Sequence, residues 1–216
     1  MSISKLRNFT FLDRCLMQFD QSLRTLFNSP SSIRPNPAAN LEEPALSSAE
    51  RKHSAGLLRV NHAGEISAQA LYQAQALMSR STEVARSLEQ SAEEENDHLA
   101  WCNQRLQELG AHPSYLNPFW YLGSFTIGLV AGLAGDAWNL GFVAETERQV
   151  VNHLERHLQK LPAADSKSRH ILQKMQEDEG HHASVAMTAG AVELPEAIKF
   201  LMKCFSRVMT RTAYWV

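Results

Sequence analysis

Residues 93–101 read EEENDHLAW, four acids in five positions followed by a histidine and a tryptophan. Were every acid solvated, the His98 and Trp101 that follow would need no explanation. An acid turned inward must instead be neutralised by something in the fold. Val84, Leu88, Ser91, Glu95, His98, Cys102 and Leu106 alternate in steps of three and four. That spacing is the buried seam of a helix, here over about residues 82 to 109, with Glu95 and His98 at its middle. Glu93, Glu94 and Asp97 fall off the seam and read as a solvated face.

The chain has 216 residues, enough for one domain, or one domain plus an arm, with a substantial core. A formal net charge of −2 offers no nucleic-acid surface. Cys15, Cys102 and Cys204 form no CxxC pair, which fits free thiols in a reducing compartment. The opening MSISKLRNFTFLDRC lacks the apolar core and cleavage site of a secretory signal, and the Arg- and Ser-rich run of a transit peptide. Nothing resembles GxGxxG, a P-loop or GxSxG, so nucleotide and esterase chemistry have no foothold.

No hairpin signal appears, and the chain reads as all-α. Residues 5 to 27 predict an amphipathic helix with Leu12, Leu16, Phe19, Leu23 and Phe27 at helical spacing. The following SPSSIRPNPAANLEEP holds four of the eight prolines, so the first helix is expected to be an arm on a tether. The division is therefore placed at 1–48 for helix and linker and 49–216 for the main domain. Core helices are expected at about 54–79, 82–109, 119–160 and 166–189, the third broken near Gly135-Asp136. Asn117-Pro118 would open that third region, and a last amphipathic segment fills 195–213.

Each core helix carries one inward acid. Leu58, Asn61/His62, Glu65, Ala68/Gln69, Tyr72 and Ala76 form the first seam. Leu140, Val143/Ala144, Glu147, Val150/Val151, Leu154 and Leu158 form the third, beside a wet face with Glu145 and Arg148. The fourth runs Leu172, Met175, Glu179, His182, Ala186 and Ala189, with Asp178 and His181 as a rival one residue away. Glu179 and His182 are preferred because they repeat the Glu-x-x-His spelling of Glu95 and His98. The chain thus repeats itself: Glu65 then Glu95-x-x-His98, Glu147 then Glu179-x-x-His182.

One Glu from each of two helices and Glu-x-x-His from each of the other two is the ligand set of carboxylate-bridged dimetal, ferritin-like four-helix bundles. Spacing i, i+3 lets a carboxylate and an imidazole reach the same ion. Four carboxylates and two neutral imidazoles total −4, which balances two divalent cations; mixed oxygen and nitrogen donors suit iron or manganese. No Arg or Lys lies on the seams at that level, and unpaired buried carboxylates would each cost several kcal/mol or protonate.

Two apolar features qualify the bundle. Pro113 to Gly135 is 23 residues without a charge and contains GLVAG, a GxxxG pattern. It is near the lower limit for a span and is expected to lie in or against a bilayer surface; the rival is a bundle helix whose glycines permit close packing. In PEAIKFLMKCFSRVMTRTAYWV, Lys199, Lys203, Arg207 and Arg211 recur beside Ile198, Leu201, Met202, Phe205, Val208 and Met209, the pattern of an interfacial anchor.

The runs LLRVNHAGEISAQALYQAQAL, EENDHLAW, AETERQVVNHL and EDEGHHA, in that order over residues 50 to 216, closely resemble the demethoxyubiquinone hydroxylases of ubiquinone biosynthesis. The resemblance implies a di-iron monooxygenase that hydroxylates the ring of a polyprenyl demethoxybenzoquinol with O2. It implies two Fe ions on Glu65, Glu95, His98, Glu147, Glu179 and His182. It also implies a catalytic part for His153, in quinol or electron handling, although a helix sets that residue about 120° from Glu147. Two electrons come from outside, from a reductase or from NADH acting through the quinone. The expected place is peripheral, on the cytoplasmic face of a bacterial-type inner membrane, with a homo-oligomer or other biosynthetic proteins as further partners. Tyr72 is within reach of the site but also fits plain core. The alternatives are a ferritin- or rubrerythrin-like iron or peroxide oxidoreductase and a non-enzymatic membrane scaffold.

Overall fold

Each of the four inward seams lies on a long helix of the computed structural model, which describes residues 10–216. Among the described residues there are seven helices and no strand: α1 (Phe11–Phe27), α2 (Ser48–Met78), α3 (Thr82–Glu108), α4 (Asn117–Leu133), α5 (Asp136–Lys160), α6 (Ser166–Thr188) and α7 (Glu196–Ala213). The fold is an all-α, ferritin-like bundle. Residues 5–9 of the expected first helix lie outside the described residues. The division drawn at 48/49 falls within the first turn of α2.

Local chemistry explains the boundaries. Ser47 and Glu50 form a reciprocal capping box that starts α2 earlier than its apolar seam does. Ser81 caps α3, and Asp165 caps α6 by accepting from the Ser168 N–H at 3.0 Å. Gly135 takes φ 101°, which a side chain would disfavour, and splits the expected third region into α4 and α5. Asp136 then accepts from the N–H groups of Arg80 and Ser81 at 3.0 and 2.8 Å, tying that corner to the α2–α3 turn. The α4 cap falls on Leu116 rather than Asn117, leaving Pro118 within the first turn.

The helices α2 and α3 form one antiparallel pair and α5 and α6 the other, with α4 as the crossover lying along α2. Two apolar clusters fill the bundle. One contains Leu58, Trp101, Leu106, Leu154, Leu172 and Met175; the other contains Ala68, Tyr72, Leu88, Leu140, Val143 and Ala186. The inward acids lie between these clusters in all four helices, so each polar residue has an apolar plug to either side.

The close-packing reading of the uncharged segment holds for one of its faces. The GxxxG face of α4 packs tightly on α2: a Cβ on Gly128 would come within 2.8 Å of the Leu71 carbonyl oxygen. The opposite face leaves Phe119, Leu122, Val130 and Leu133 exposed. None of the described helices is long and apolar enough to cross a membrane.

The amino-terminal helix departs from expectation. Its apolar stripe of Leu12, Leu16, Phe19, Leu23 and Phe27 faces outward. It docks through Leu26, which packs on the Ile66, Leu99 and Tyr121 cluster, and through polar contacts: Thr25 donates to Gln69 Oε1 at 2.8 Å, and the Ser22 and Tyr121 hydroxyls lie 2.8 Å apart. Nor is the linker a loose tether. Its prolines keep it extended, and its polar groups bond along α3 and α6, with Asn96 donating to the Ser31 carbonyl at 2.7 Å and Asn36 to Gln104 at 2.9 Å.

Substituting Gly128→Leu should force α4 away from α2 and lower stability by about 1–3 kcal/mol. Urea denaturation followed by helical circular dichroism measures this; an unchanged midpoint would contradict the close approach.

Candidate metal centre

Glu65 comes from α2, Glu95 and His98 from α3, Glu147 from α5, and Glu179 and His182 from α6. All six are buried, with Glu95 and His98 fully so. One donor atom from each of Glu65, Glu95, His98 and Glu179 lies within 4.8 Å of the other three. The Nδ1 of His98 is 3.0 Å from Glu95 and 3.2 Å from Glu179. The Nδ1 of His182 is 3.2 Å from Glu179 and 3.3 Å from Glu95. Glu147 completes the ring and accepts a short hydrogen bond from the Tyr72 hydroxyl, so Tyr72 belongs to the edge of the site as well as to the core.

The second nitrogen of each imidazole is held from outside. His98 Nε2 donates to Asp178 at 3.0 Å, and His182 Nε2 donates to Glu94 at 2.9 Å. The pairing is crossed: the acid preceding Glu179 on α6 orients the histidine of α3, and the acid preceding Glu95 on α3 orients that of α6. Carboxylates in these places would hold the Nε2–H tautomer once the rings are neutral, turning each Nδ1 toward the centre as a ligand.

Four expectations change here. Asp178 is not a rival ligand, and His181 beside it is exposed. Glu94 is half-buried rather than solvated, because His182 reaches it. Asp97 is buried, because Arg34 of the linker bonds it at 2.6 Å. Glu145 is also buried rather than wet, accepting from Gln149 at 2.6 Å. Periodicity excluded Arg and Lys from the four seams, but it could not see a cation arriving from a segment outside them.

The electrostatics of the metal-free chain fit a cation site. Burial pushes the carboxyls of Glu65 and Glu147 well above the ordinary range, and the neighbouring acids Glu95 and Glu179 add to the push. Glu95 goes the other way: burial is outweighed by His182 and His98, which hold it well below the usual range. Burial also opposes the charge on His98, but Asp178, Glu179, Glu65 and Glu95 raise its pKa well above normal. His182 is pushed up to about 12 against burial, by Glu179 and Glu95. Protons here do what cations would do. Oxygen atoms of Glu65 and Glu95 are nevertheless buried without a hydrogen bond, which suits donors directed at an ion. The donor set of four carboxylates and two imidazoles fits two divalent ions of the iron or manganese type.

A cavity of about 430 Å³ reaches the centre from the side opposite the linker. Glu65, Glu147 and Glu179 form its inner end, and Leu71, Ile127, Ile198, Leu201, Phe205 and Met209 line its course. Leu201 is 65 % exposed, so the mouth opens between α4 and α7. Among the polar side chains lining this space, two have buried atoms without a partner: both amide atoms of Asn61 and Nε2 of His153. The structure puts His153 in the cavity wall, its ring tilted against that of His157 with centroids 3.9 Å apart, rather than among the six. Burial, with Arg156 and Lys160 nearby, lowers its pKa to about 4 and keeps the imidazole neutral. Asn61 lay on a predicted seam, but nothing in its spacing separated it from His62.

Comparison with known proteins agrees with this geometry. The family model described as "Ubiquinone biosynthesis protein COQ7" matches residues 52–213. A Nitrosococcus oceani protein named 3-demethoxyubiquinol 3-hydroxylase is 59 % identical over 211 residues, covering 97 % of this chain and 99 % of the relative. Proteins of the same name from Legionella pneumophila (strain Paris) and Nitrosomonas europaea are 55 % and 53 % identical; they cover 98 % and 95 % of this chain and 100 % and 99 % of their own length.

Because His98 and His182 hold protons at neutral pH without metal, loading divalent ions should displace both, and apparent affinity should rise with pH. Calorimetric titration with ferrous ion at pH 7, in two buffers of different ionisation enthalpy, should register at least two protons released. Heats independent of the buffer would contradict metal binding at these imidazoles.

Proposed function

The chain belongs to the COQ7 family of ubiquinone biosynthesis proteins, and we propose that it is a 3-demethoxyubiquinol 3-hydroxylase with a di-iron centre on Glu65, Glu95, His98, Glu147, Glu179 and His182. The observation that carries this reading is the joining of a buried acid and histidine cluster to an apolar cavity that opens at the surface. A centre that only stores iron or removes peroxide does not need such a route.

The reaction inserts one atom of O2 into a ring C–H bond of the quinol. The other atom leaves as water, using two protons and two electrons from an external donor such as NADH or a reductase. Iron held by the six side chains supplies the binding and reduction of O2. The chain supplies the rest. Apolar walls accept the polyprenyl benzoquinol and keep bulk water from the ring. Asn61 and the neutral His153 offer hydrogen bonds to its hydroxyls, giving His153 a part in catalysis without coordinating metal. Tyr72 steadies Glu147 through its hydroxyl.

Three surfaces support substrate entry from a membrane. Helix α4 turns Phe119, Leu122, Val130 and Leu133 outward, and α7 turns Phe200, Leu201 and Val208 outward. Helix α1 adds its own outward stripe. Lys203, Arg207 and Arg211 follow the apolar strip of α7 at four-residue spacing and are exposed, as anionic headgroups would require. We place the protein as a peripheral one on the cytoplasmic face of a bacterial inner membrane. Lys199 takes no part, since it is engaged by Glu193 and Glu196.

Ferrous-loaded protein mixed with a demethoxyubiquinol analogue and 18O2 should give, in a single turnover, a product quinone carrying one labelled ring oxygen. Oxygen consumption without a mass change would favour the ferritin-like alternative. Glu179→Ala should abolish labelling while leaving helical content intact; an unchanged phenotype in cells that carry this variant would favour a scaffold.

Flotation with vesicles containing anionic phospholipid tests the surface. Reversing Lys203, Arg207 and Arg211 to Glu should weaken binding on the order of 100-fold or more at low salt. Unchanged flotation would remove the basic stripe from the membrane reading.

A further inference from the structure

The linker between α1 and α2 makes its densest polar contacts beside the histidines. Arg34 Nε donates to Asp97 of α3 at 2.6 Å, and Arg34 Nη1 donates to Asp178 of α6 at 2.8 Å. Its Nη2 reaches the Glu94 carbonyl at 3.5 Å and lies 3.4 Å from His98 Nε2. The guanidinium sits 5.0 Å above the Trp101 ring, and Trp101 in turn packs on His98. The other oxygen of Asp97 accepts from the Ile33 N–H at 2.6 Å, so backbone and side chain of adjacent linker residues grip one carboxylate.

The same oxygen of Asp178 receives both His98 Nε2 and Arg34 Nη1, while its second oxygen takes Lys174 at 2.8 Å. Asp178 is thus held from two further sides, and it makes the shorter of the two contacts to the outer nitrogen of His98, 3.0 Å against 3.4 Å for Arg34 Nη2. Farther along, Glu43 of the linker meets Arg105 of α3 at 2.7 Å, and Arg105 meets Asp165 at the start of α6 at 2.8 Å. The linker therefore bridges α3 and α6 at two levels, but only the Arg34 level touches the centre. His182, oriented by Glu94, has no corresponding linker cation at its outer nitrogen.

We propose that Arg34 is a positioning residue of the metal centre: acting through Asp178, it fixes the ring of His98, so that the amino-terminal strap governs one metal position more than the other. This rests on the dimetal reading above. A planar guanidinium suits the task because its rigid fork holds Asp97 and Asp178 in one fixed geometry, which the freely rotating donors of an ammonium do not impose.

Anaerobic titration of the metal-free full chain with Co(II), against a competing chelator and followed by Co(II) absorption, tests the idea. The wild type should bind two ions. Arg34→Gln should lose about 10–100-fold in affinity for one ion, with that ion's bands shifted and the other's unchanged. Asp178→Asn should act alike, and the double variant should be little worse than either single. Asn36→Ala, which cuts a strap contact away from the histidines, should bind both ions as the wild type does. If Arg34→Gln does not fold, Arg34→Lys is read the same way and should show a smaller loss at the same ion. Two ions bound by the Arg34 variants with wild-type affinity, or both weakened equally, would overturn the proposal. A wild type that binds no Co(II) would instead overturn the dimetal reading itself.

Discussion

Four carboxyl groups in the middle of a helical bundle set the terms for the rest of this structure. Glu65, Glu95, Glu147 and Glu179 are all buried, and among the described residues none has an Arg or Lys as a direct partner. Left ionised and uncompensated, each would cost several kcal/mol. The chain keeps them because they share one small volume with two imidazoles, where positive charge from protons or metal ions serves all of them together. The apolar clusters at either side make that volume narrow and keep it dry.

The two sides of the centre are built for different purposes. Toward α3 and α6 the surroundings are polar and closed. Each histidine is oriented by an acid from the opposite helix, and the strap seals the seam with Arg34 and Glu43. Toward α2 and α5 they are apolar and open, leading to the gap between α4 and α7. A site that must hold ions rigidly yet admit a large apolar molecule needs both arrangements, and they cannot occupy the same face. In the proposed hydroxylase the ring enters past Asn61 and His153, whose buried polar atoms have no partner in the wall, and the histidine side stays unmoved.

The outer helices follow the same division of labour. On α4, the glycine face packs on the bundle and the bulky face is left outside. On α1, Ser22, Thr25 and Leu26 make internal contacts while Leu12, Leu16, Phe19, Leu23 and Phe27 point away. In water alone this inversion is unfavourable, since exposed apolar area gains nothing from folding. It becomes reasonable if that area has a hydrocarbon surface to meet, and the exposed faces of α4 and α7 flank the cavity mouth.

How much of this could be read without coordinates depends on how local each feature is. Helical periodicity is a property of a few consecutive residues, so the sequence by itself determined the all-α class, the break at Gly135 and the inward direction of Glu65, Glu95, Glu147 and Glu179. The repeat of Glu-x-x-His also separated Glu179 and His182 from Asp178 and His181. Contacts around those residues were not local. Asp97 and Asp178 are 81 positions apart, and Arg34 joins them from a segment that has no periodicity at all. Whether an off-seam acid such as Glu94 meets water or His182 depends on how two helices are rotated and staggered against each other. Side-chain spacing along one helix says nothing about that rotation. Only the tertiary structure, by packing α3 against α6 and drawing the strap across them, decided which acids orient the histidines and which side of the centre stays open.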